Sequence, residues 1–85
     1  MKPQLFYQIA DAGGAAARKA VTSAGLLDRV QFRNIHYDEV RADLDQLSGR
    51  PGAALLPALW DGTTLHEGLD AVLAALTRLG DGVPK

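Results

Sequence analysis

The side chains able to carry out chemistry are few in this chain of 85 residues. The chain contains no cysteine, which excludes disulfides, thiolate metal sites and dithiol redox chemistry. The two histidines, His36 and His66, have no third ligand at a spacing typical of a metal site, so we predict none. The few serines fall within or at the ends of predicted helices, and no Ser-His-Asp arrangement is indicated.

One glycine-rich segment has the form of a binding site. QIADAGGAAARKAV, residues 8–21, runs from a predicted strand through Gly13 and Gly14 into a predicted helix. Such junctions bind phosphates, or hold a reactive thiol at a helix start. The segment lacks both the GxxxxGK[ST] and the GxGxxG patterns. Free backbone N–H groups and the nearby Arg18 are compatible with an anion site, and the alternative is a glycine turn that allows close packing.

The hydrophobic pattern predicts the element order β-α-β-α-β-β-α. The predicted strands cover residues 5–9, 30–36, 54–60 and 63–67. The first predicted helix has an apolar stripe of alanines and Val21, ends at a left-handed Gly25, and is followed by Leu26 folding back onto it. The second has Asp38 as its N-cap and Gly49 at its end, with an apolar side formed by Tyr37, Val40, Leu44 and Leu47. The third covers residues 67–79.

Three local features leave alternatives open. Ile35 breaks the alternation that starts at Val30, which indicates either a bulge or a strand covered on both faces. Pro57 predicts that its strand lies at a sheet edge, unless the proline has a special role. The DG pair after Trp60 is a strong hairpin signal, and Trp60 itself either anchors an interface or covers the sheet edge.

These elements predict an α/β domain. A helix joins the first two strands, so we expect them to be parallel with a right-handed crossover, and the hairpin adds antiparallel strands. The result is a four-stranded mixed sheet with helices on both faces. We predict one domain over residues 1–80 and a tail over 81–85.

The segment LLPALWDGTTLHEGLDAVLAAL, residues 55–76, resembles the thioredoxin-like superfamily, most closely the N-terminal domain of glutathione transferases and the related glutaredoxins. In those proteins a hydrophobic residue precedes a cis-proline, a hairpin follows, and an acidic residue with a serine opens the last helix. The resemblance implies a cis peptide bond at Leu56-Pro57. KPQLFYQ and ARKAVTSAGL are similar to the opening of tyrosine-type transferases, with Tyr7 at the position of the catalytic tyrosine.

The chain departs from these families where they carry their chemistry. Gly14 and Ala17 align with the CxxC or CxxS residues of glutaredoxins, and neither has a nucleophilic atom. Glu67 matches the acidic residue that receives the γ-glutamyl end of glutathione, but Gly68 replaces the serine and keeps only its backbone N–H. Glu67 also has a structural interpretation, a T-x-x-E capping box with Thr64. We therefore predict no thiol–disulfide chemistry.

We interpret the chain as a redox-inactive thioredoxin-like domain that binds a protein or peptide partner. The predicted ligand-binding residues are Tyr7, Gly13, Gly14, Leu56, Pro57, Glu67 and Gly68. Leu56 offers its backbone N–H and C=O to a peptide-like ligand. The alternative is a minimal glutathione-binding or transferase-like protein that uses Tyr7, with glutathione as its ligand, although Tyr7 has the simpler interpretation of an aromatic filling the core. A purely structural domain and a homodimer stay open.

Charge and length exclude several other classes of function. The formal net charge is −1, and the nine basic residues are scattered, so we predict no nucleic-acid or membrane-surface binding. No apolar run approaches the ~20 residues needed to cross a bilayer. The N-terminal segment lacks the pattern of a secretory signal, and we expect a cytoplasmic location.

Overall fold

The computed structural model describes residues 2–81, with the side chain of Asp81 excepted, as an α/β domain of three helices and one four-stranded sheet. The order of elements is the predicted one. The elements are β1 Gln4–Tyr7, α1 Ala12–Ser23, β2 Gln31–Asn34, α2 Asp38–Ser48, β3 Ala58–Trp60, β4 Leu65–Glu67 and α3 Leu69–Asp81. None of the helices in this described part of the chain is long and apolar enough to cross a membrane.

The sheet is mixed, as predicted, with the strand order β2-β1-β3-β4. β1 and β2 are parallel, whereas β1–β3 and β3–β4 are antiparallel. The expectation that Pro57 marks an edge strand is wrong, because β3 lies between β1 and β4. Pro57 comes directly before β3, so its missing N–H interrupts no ladder of hydrogen bonds.

Two hydrophobic clusters lie on the two faces of the sheet. Leu5 and Phe6 follow each other in β1 and are both fully buried, and they point to opposite faces. Leu5 packs with buried residues of α1 and α3, whereas Phe6 packs with those of α2. Helices therefore cover both faces, as predicted, with two helices on one face and one on the other.

The position of Ile35 is explained without a bulge. β1 and β2 pair without interruption from Gln4↔Gln31 to Tyr7↔Asn34, and the strand ends there. Val30 and Phe32 pack with the first cluster, whereas Ile35, just past the strand, is buried in the second. Of the two alternatives, coverage of both sheet faces is the correct one.

The strands are shorter than the apolar runs that predict them. β1 ends at Tyr7, and Ile9, predicted to lie in the strand, is 65% exposed. β3 covers three residues rather than 54–60. The predicted hairpin forms, but its loop runs from Asp61 to Thr64, because the Asp61 carboxylate accepts the N–H groups of Thr63 and Thr64 at 2.8 and 2.7 Å.

Glycines end the first two helices as predicted. Gly25 has a φ of +71°, Leu26 donates its N–H to the Val21 carbonyl at 3.0 Å, and the Leu26 side chain is buried. Gly49 has a φ of +68° and donates to the Asp45 carbonyl.

The start of α2 differs from the prediction by one residue. Tyr37 is the N-cap and makes no side-chain capping bond, whereas Asp38 is the first helical residue. The Tyr37 backbone is extended, and its carbonyl accepts the N–H groups of Val40 and Arg41. Asp38 instead places a negative charge in the first turn, where the helix dipole favours it. Tyr37 is exposed and does not share the buried side of Val40 and Leu44.

The last helix runs later than predicted, from Leu69 to Asp81 instead of over 67–79. The predicted tail over 81–85 therefore begins with a helical residue. Residues 82–85 of that tail lie outside the described residues.

Candidate functional site

The predicted site residues come together at one end of the sheet. β1 ends at Tyr7, and β3 begins at Ala58, beside Phe6 in the ladder. β4 ends at Glu67, which pairs with Ala58. The turn before α1 and the Leu56-Pro57 bond therefore lie next to each other, although they are far apart in the sequence.

The two glycines of this end are packed closely. A Cβ atom on Gly14 would lie 3.0 Å from the Gln8 carbonyl oxygen and 3.3 Å from Tyr7 Cβ. A Cβ atom on Gly13 would lie 3.2 Å from Pro57 Cδ. Of the two interpretations of this junction, the geometry favours the glycine turn. Gly14, the position aligned with the glutaredoxin nucleophile, is buried, and a side chain there would force its neighbours to move by a few tenths of an ångström.

The N-terminus of α1, which contains these glycines, is capped by a carboxylate of the chain itself. Asp11 is the N-cap of α1, and its carboxylate accepts the Gly14 N–H at 3.1 Å. Asp11 is not among the predicted site residues. Its position just before the helical alanines is the usual sequence signal of an N-cap. An external anion would have to compete with this side chain.

Tyr7 packs beneath α1. Its ring is half-buried and meets Phe32 edge to face, with the ring centroids 6.0 Å apart. The guanidinium carbon of Arg18 lies 4.8 Å from the Tyr7 ring centroid, and its Nε donates to the Gly14 carbonyl at 3.4 Å. This cation–π contact stabilises the tyrosine and arginine in their positions. The arrangement supports the core interpretation of Tyr7.

Glu67 and Gly68 are engaged inside the protein. The Glu67 carboxylate accepts the Leu55 N–H at 3.0 Å and forms an ion pair with Arg50. Gly68 donates its N–H to the Pro57 carbonyl at 2.9 Å, so the donor expected for a ligand is already used. The capping-box interpretation of Glu67 is wrong, because α3 begins at Leu69 and Glu67 ends β4. Together these bonds hold the α2–β3 loop against β4.

The Leu56-Pro57 segment leaves backbone groups available. The peptide bond between these residues is cis. Pro57 is buried, and Leu56 is half-buried. Within residues 2–81, the N–H and C=O of Leu56 have no hydrogen-bond partner. The preceding residue, Leu55, has a side chain that is 64% exposed.

The structure pairs one acid and one histidine that sequence reasoning did not connect. His66 Nε2 lies 2.7 Å from Asp61 Oδ2. The His66 hydrogen bond, followed by the backbone N–H of Thr64 and that of Thr63, holds the pKa of Asp61 well below its usual range. Among the described residues no group of three or more His, Cys, Asp and Glu side chains is placed to hold a metal ion. The pair sits on the hairpin and fixes its loop.

An open cavity of about 460 Å³ lies beside the predicted site. Residues 8–10 and 34–36 line it together with Asp38 and Arg41 of α2. It lies past the carboxyl ends of the parallel β1 and β2, whose following helices pack on opposite faces, and ligands of open α/β sheets bind at such points. None of the seven residues predicted to bind a ligand lines this cavity.

The chain matches no family model, no curated protein and no solved structure.

Proposed function

We propose that the chain is a redox-inactive, thioredoxin-like domain that binds an extended segment of a protein or peptide partner. The partner binds at the carboxyl-end surface, which we define by Ile9, Tyr37, Leu55 and Leu56. The element order, the mixed sheet and the proline before β3 support the thioredoxin-like part of this proposal. The absence of cysteine from the sequence and the close packing around Gly14 support the redox-inactive part.

The distribution of exposed apolar side chains carries the proposal. Ile9, Tyr37 and Leu55 are 65%, 57% and 64% exposed, and they lie on three different loops at the same end of the sheet. The structure describes four large hydrophobic residues as exposed, and the fourth, Leu27, lies in the loop at the opposite end of the sheet. Apolar side chains grouped in this way are typical of protein interaction sites.

The backbone of Leu56 supports an extended ligand. Its N–H and C=O have no hydrogen-bond partner within the described residues, and they lie between exposed Leu55 and buried Pro57. A peptide in an extended conformation donates to and accepts from such groups whatever its side chains are. The cavity of about 460 Å³ includes Ile9 in its lining, so a partner side chain has space next to the same surface.

The test selects 12-residue peptides from a displayed random library against the full chain. The affinities of the selected peptides are then measured for Ile9→Ser and Leu55→Ser variants. Leu27→Ser is the matched control, since it removes a side chain that is 54% exposed from the opposite end. We expect the first two variants to lose about tenfold or more in affinity, as for interface anchors, and the control to bind normally.

Three results would contradict the proposal: no peptide enriched above background, equal losses for all three variants, or binding that persists unchanged in Ile9→Ser and Leu55→Ser. Sedimentation of the chain at increasing concentration tests the remaining alternative. A dimer that Leu55→Ser dissociates would identify the occupant of the carboxyl-end surface as a second copy of the chain.

A further inference from the structure

A second cavity, of about 510 Å³, lies on the sheet face that only α2 covers. Its floor is formed across three strands by Trp60, Gln4 and Arg33. Gln4 pairs with Trp60 in β3 and with Gln31 in β2, and Arg33 lies two residues after Gln31, on the same face. One wall belongs to α2, with Asp43 and Leu47. The cavity is at the opposite end of the sheet from the carboxyl-end surface.

Arg33 is held in position before any ligand enters. Its two terminal nitrogens donate to the side-chain oxygen of Gln4 and to Asp43 Oδ2, the latter at 2.7 Å. Its guanidinium carbon lies 5.7 Å from the Phe6 ring centroid. These contacts use two of the five N–H donors that a guanidinium holds in a fixed plane, and Arg33 is among the residues that line the cavity. Such a fixed fork recognises planar acceptors.

The apolar part of the cavity suits a flat ring. Trp60 is half-buried and packs on the cluster around Phe6, and Leu47 faces the same space. The volume falls within the range of roughly 300–1,000 Å³ that is usual for small-molecule sites. An indole beside an aliphatic wall favours a stacked aromatic ligand.

We propose that this cavity binds a neutral, planar nitrogen heterocycle of the nucleobase kind, as the free base or nucleoside. The ring stacks on Trp60, its carbonyl or ring-nitrogen acceptors take hydrogen bonds from Arg33, and its N–H donates to Asp43. Among the described residues, the lining carries one cation and one anion, already paired with each other. An aromatic carboxylate would place a second negative charge beside Asp43, and a phosphate group would find no further cation among these described lining residues.

The experiment titrates inosine into the ¹⁵N-labelled full chain. Inosine offers both acceptors and one N–H donor on a neutral ring. The amide signals of Leu47 and Gly62 and the indole N–H signal of Trp60 report on binding, and this is the only tryptophan in the sequence. We expect saturable shifts confined to the cavity. Trp60→Leu should weaken binding by about tenfold, within the range of base–aromatic stacking.

Two further comparisons test the polar contacts. Asp43→Ala should weaken inosine binding severalfold, with Asp28→Ala as the matched control because Asp28 is exposed and is not part of the cavity lining. 1-Methylinosine, which lacks the N–H donor, should bind the unchanged chain as weakly as inosine binds the Asp43→Ala variant. Urea unfolding of each variant verifies that the fold is retained.

The proposal is overturned if inosine gives no saturable shifts up to its solubility limit, or if the shifts map to the carboxyl-end surface. It is also overturned if benzyl alcohol, which has the ring but not the acceptor and donor pattern, binds as tightly as inosine. In that case the cavity selects only apolar aromatic groups.

Discussion

Replacing Gly14 with alanine places a methyl group 3.0 Å from the Gln8 carbonyl oxygen and 3.3 Å from Tyr7 Cβ. The first neighbour is a backbone atom between β1 and α1, and it cannot rotate away as a side chain can. The substitution therefore forces α1 to shift away from the end of β1, although alanine is a better helix former than glycine.

The magnitude follows from two opposing effects. In a helix, Gly→Ala stabilises the folded state by up to about 1 kcal/mol. Forcing an extra methyl group into a closely packed site costs about 1–3 kcal/mol. We expect a net loss of about 1 kcal/mol in the free energy of unfolding. Gly80→Ala is the matched control in α3, because the nearest atom to its added methyl is Ala24 Cβ at 4.0 Å.

Thermal and urea unfolding of the two variants measure the difference. Gly80→Ala should gain stability while Gly14→Ala loses it, with a separation of about 2 kcal/mol, or about 10 °C in Tm for a domain of this size. If Gly14→Ala is as stable as Gly80→Ala, the close approach of α1 to β1 does not exist. A nucleophilic side chain would then also fit at this position.

Three other measurements test individual contacts. Asp11→Ala should cost about 1 kcal/mol of stability through loss of the N-cap, whereas Asp28→Ala should be nearly neutral. The His66 hydrogen bond lowers the pKa of Asp61 in the folded state. The stability that this bond provides is therefore present above the ordinary carboxyl pKa of about 4 and is lost as the pH falls below it. As a result, the urea midpoint of Asp61→Asn should drop less steeply in acid than that of the unchanged chain. Glutathione at millimolar concentration should give no saturable amide shift near Gly68, whose N–H is already bonded to a carbonyl, and a saturable shift there would revive the transferase-like alternative.

The elements could be predicted from the sequence because their signals are local. The glycines after α1 and α2, the alternation in the strands and the DG turn each act within a few residues. Strand ends were less predictable, because an apolar side chain such as Ile9 continues the strand pattern while lying exposed on a loop. The prediction for Tyr37 was wrong for the same reason, since this residue continues the apolar stripe of α2 but precedes the helix.

The fold brings the predicted site residues together, but their hydrogen bonds and ion pairs could not be predicted from the sequence. Glu67 pairs with Arg50, 17 residues away, and its partner depends on how the α2–β3 loop folds. The close approach at Gly14 depends on the angle between α1 and β1, which no sequence motif specifies. The cavity beside Trp60 is lined by residues of three strands, of α2 and of the hairpin loop, which tertiary packing brings together and no local pattern specifies.

The central place of β1 bears on how the chain is assembled during synthesis. β1 is made first, yet its Gln4 pairs with Trp60 on one side and with Gln31 on the other. A nascent chain can form the β1–α1–β2 unit early, but the edge of β1 that pairs with β3 stays unpaired until β3 has left the ribosome. We therefore expect a fragment that stops before β3 to aggregate or to require a chaperone, and to regain a native sheet when the missing segment is supplied as a separate peptide.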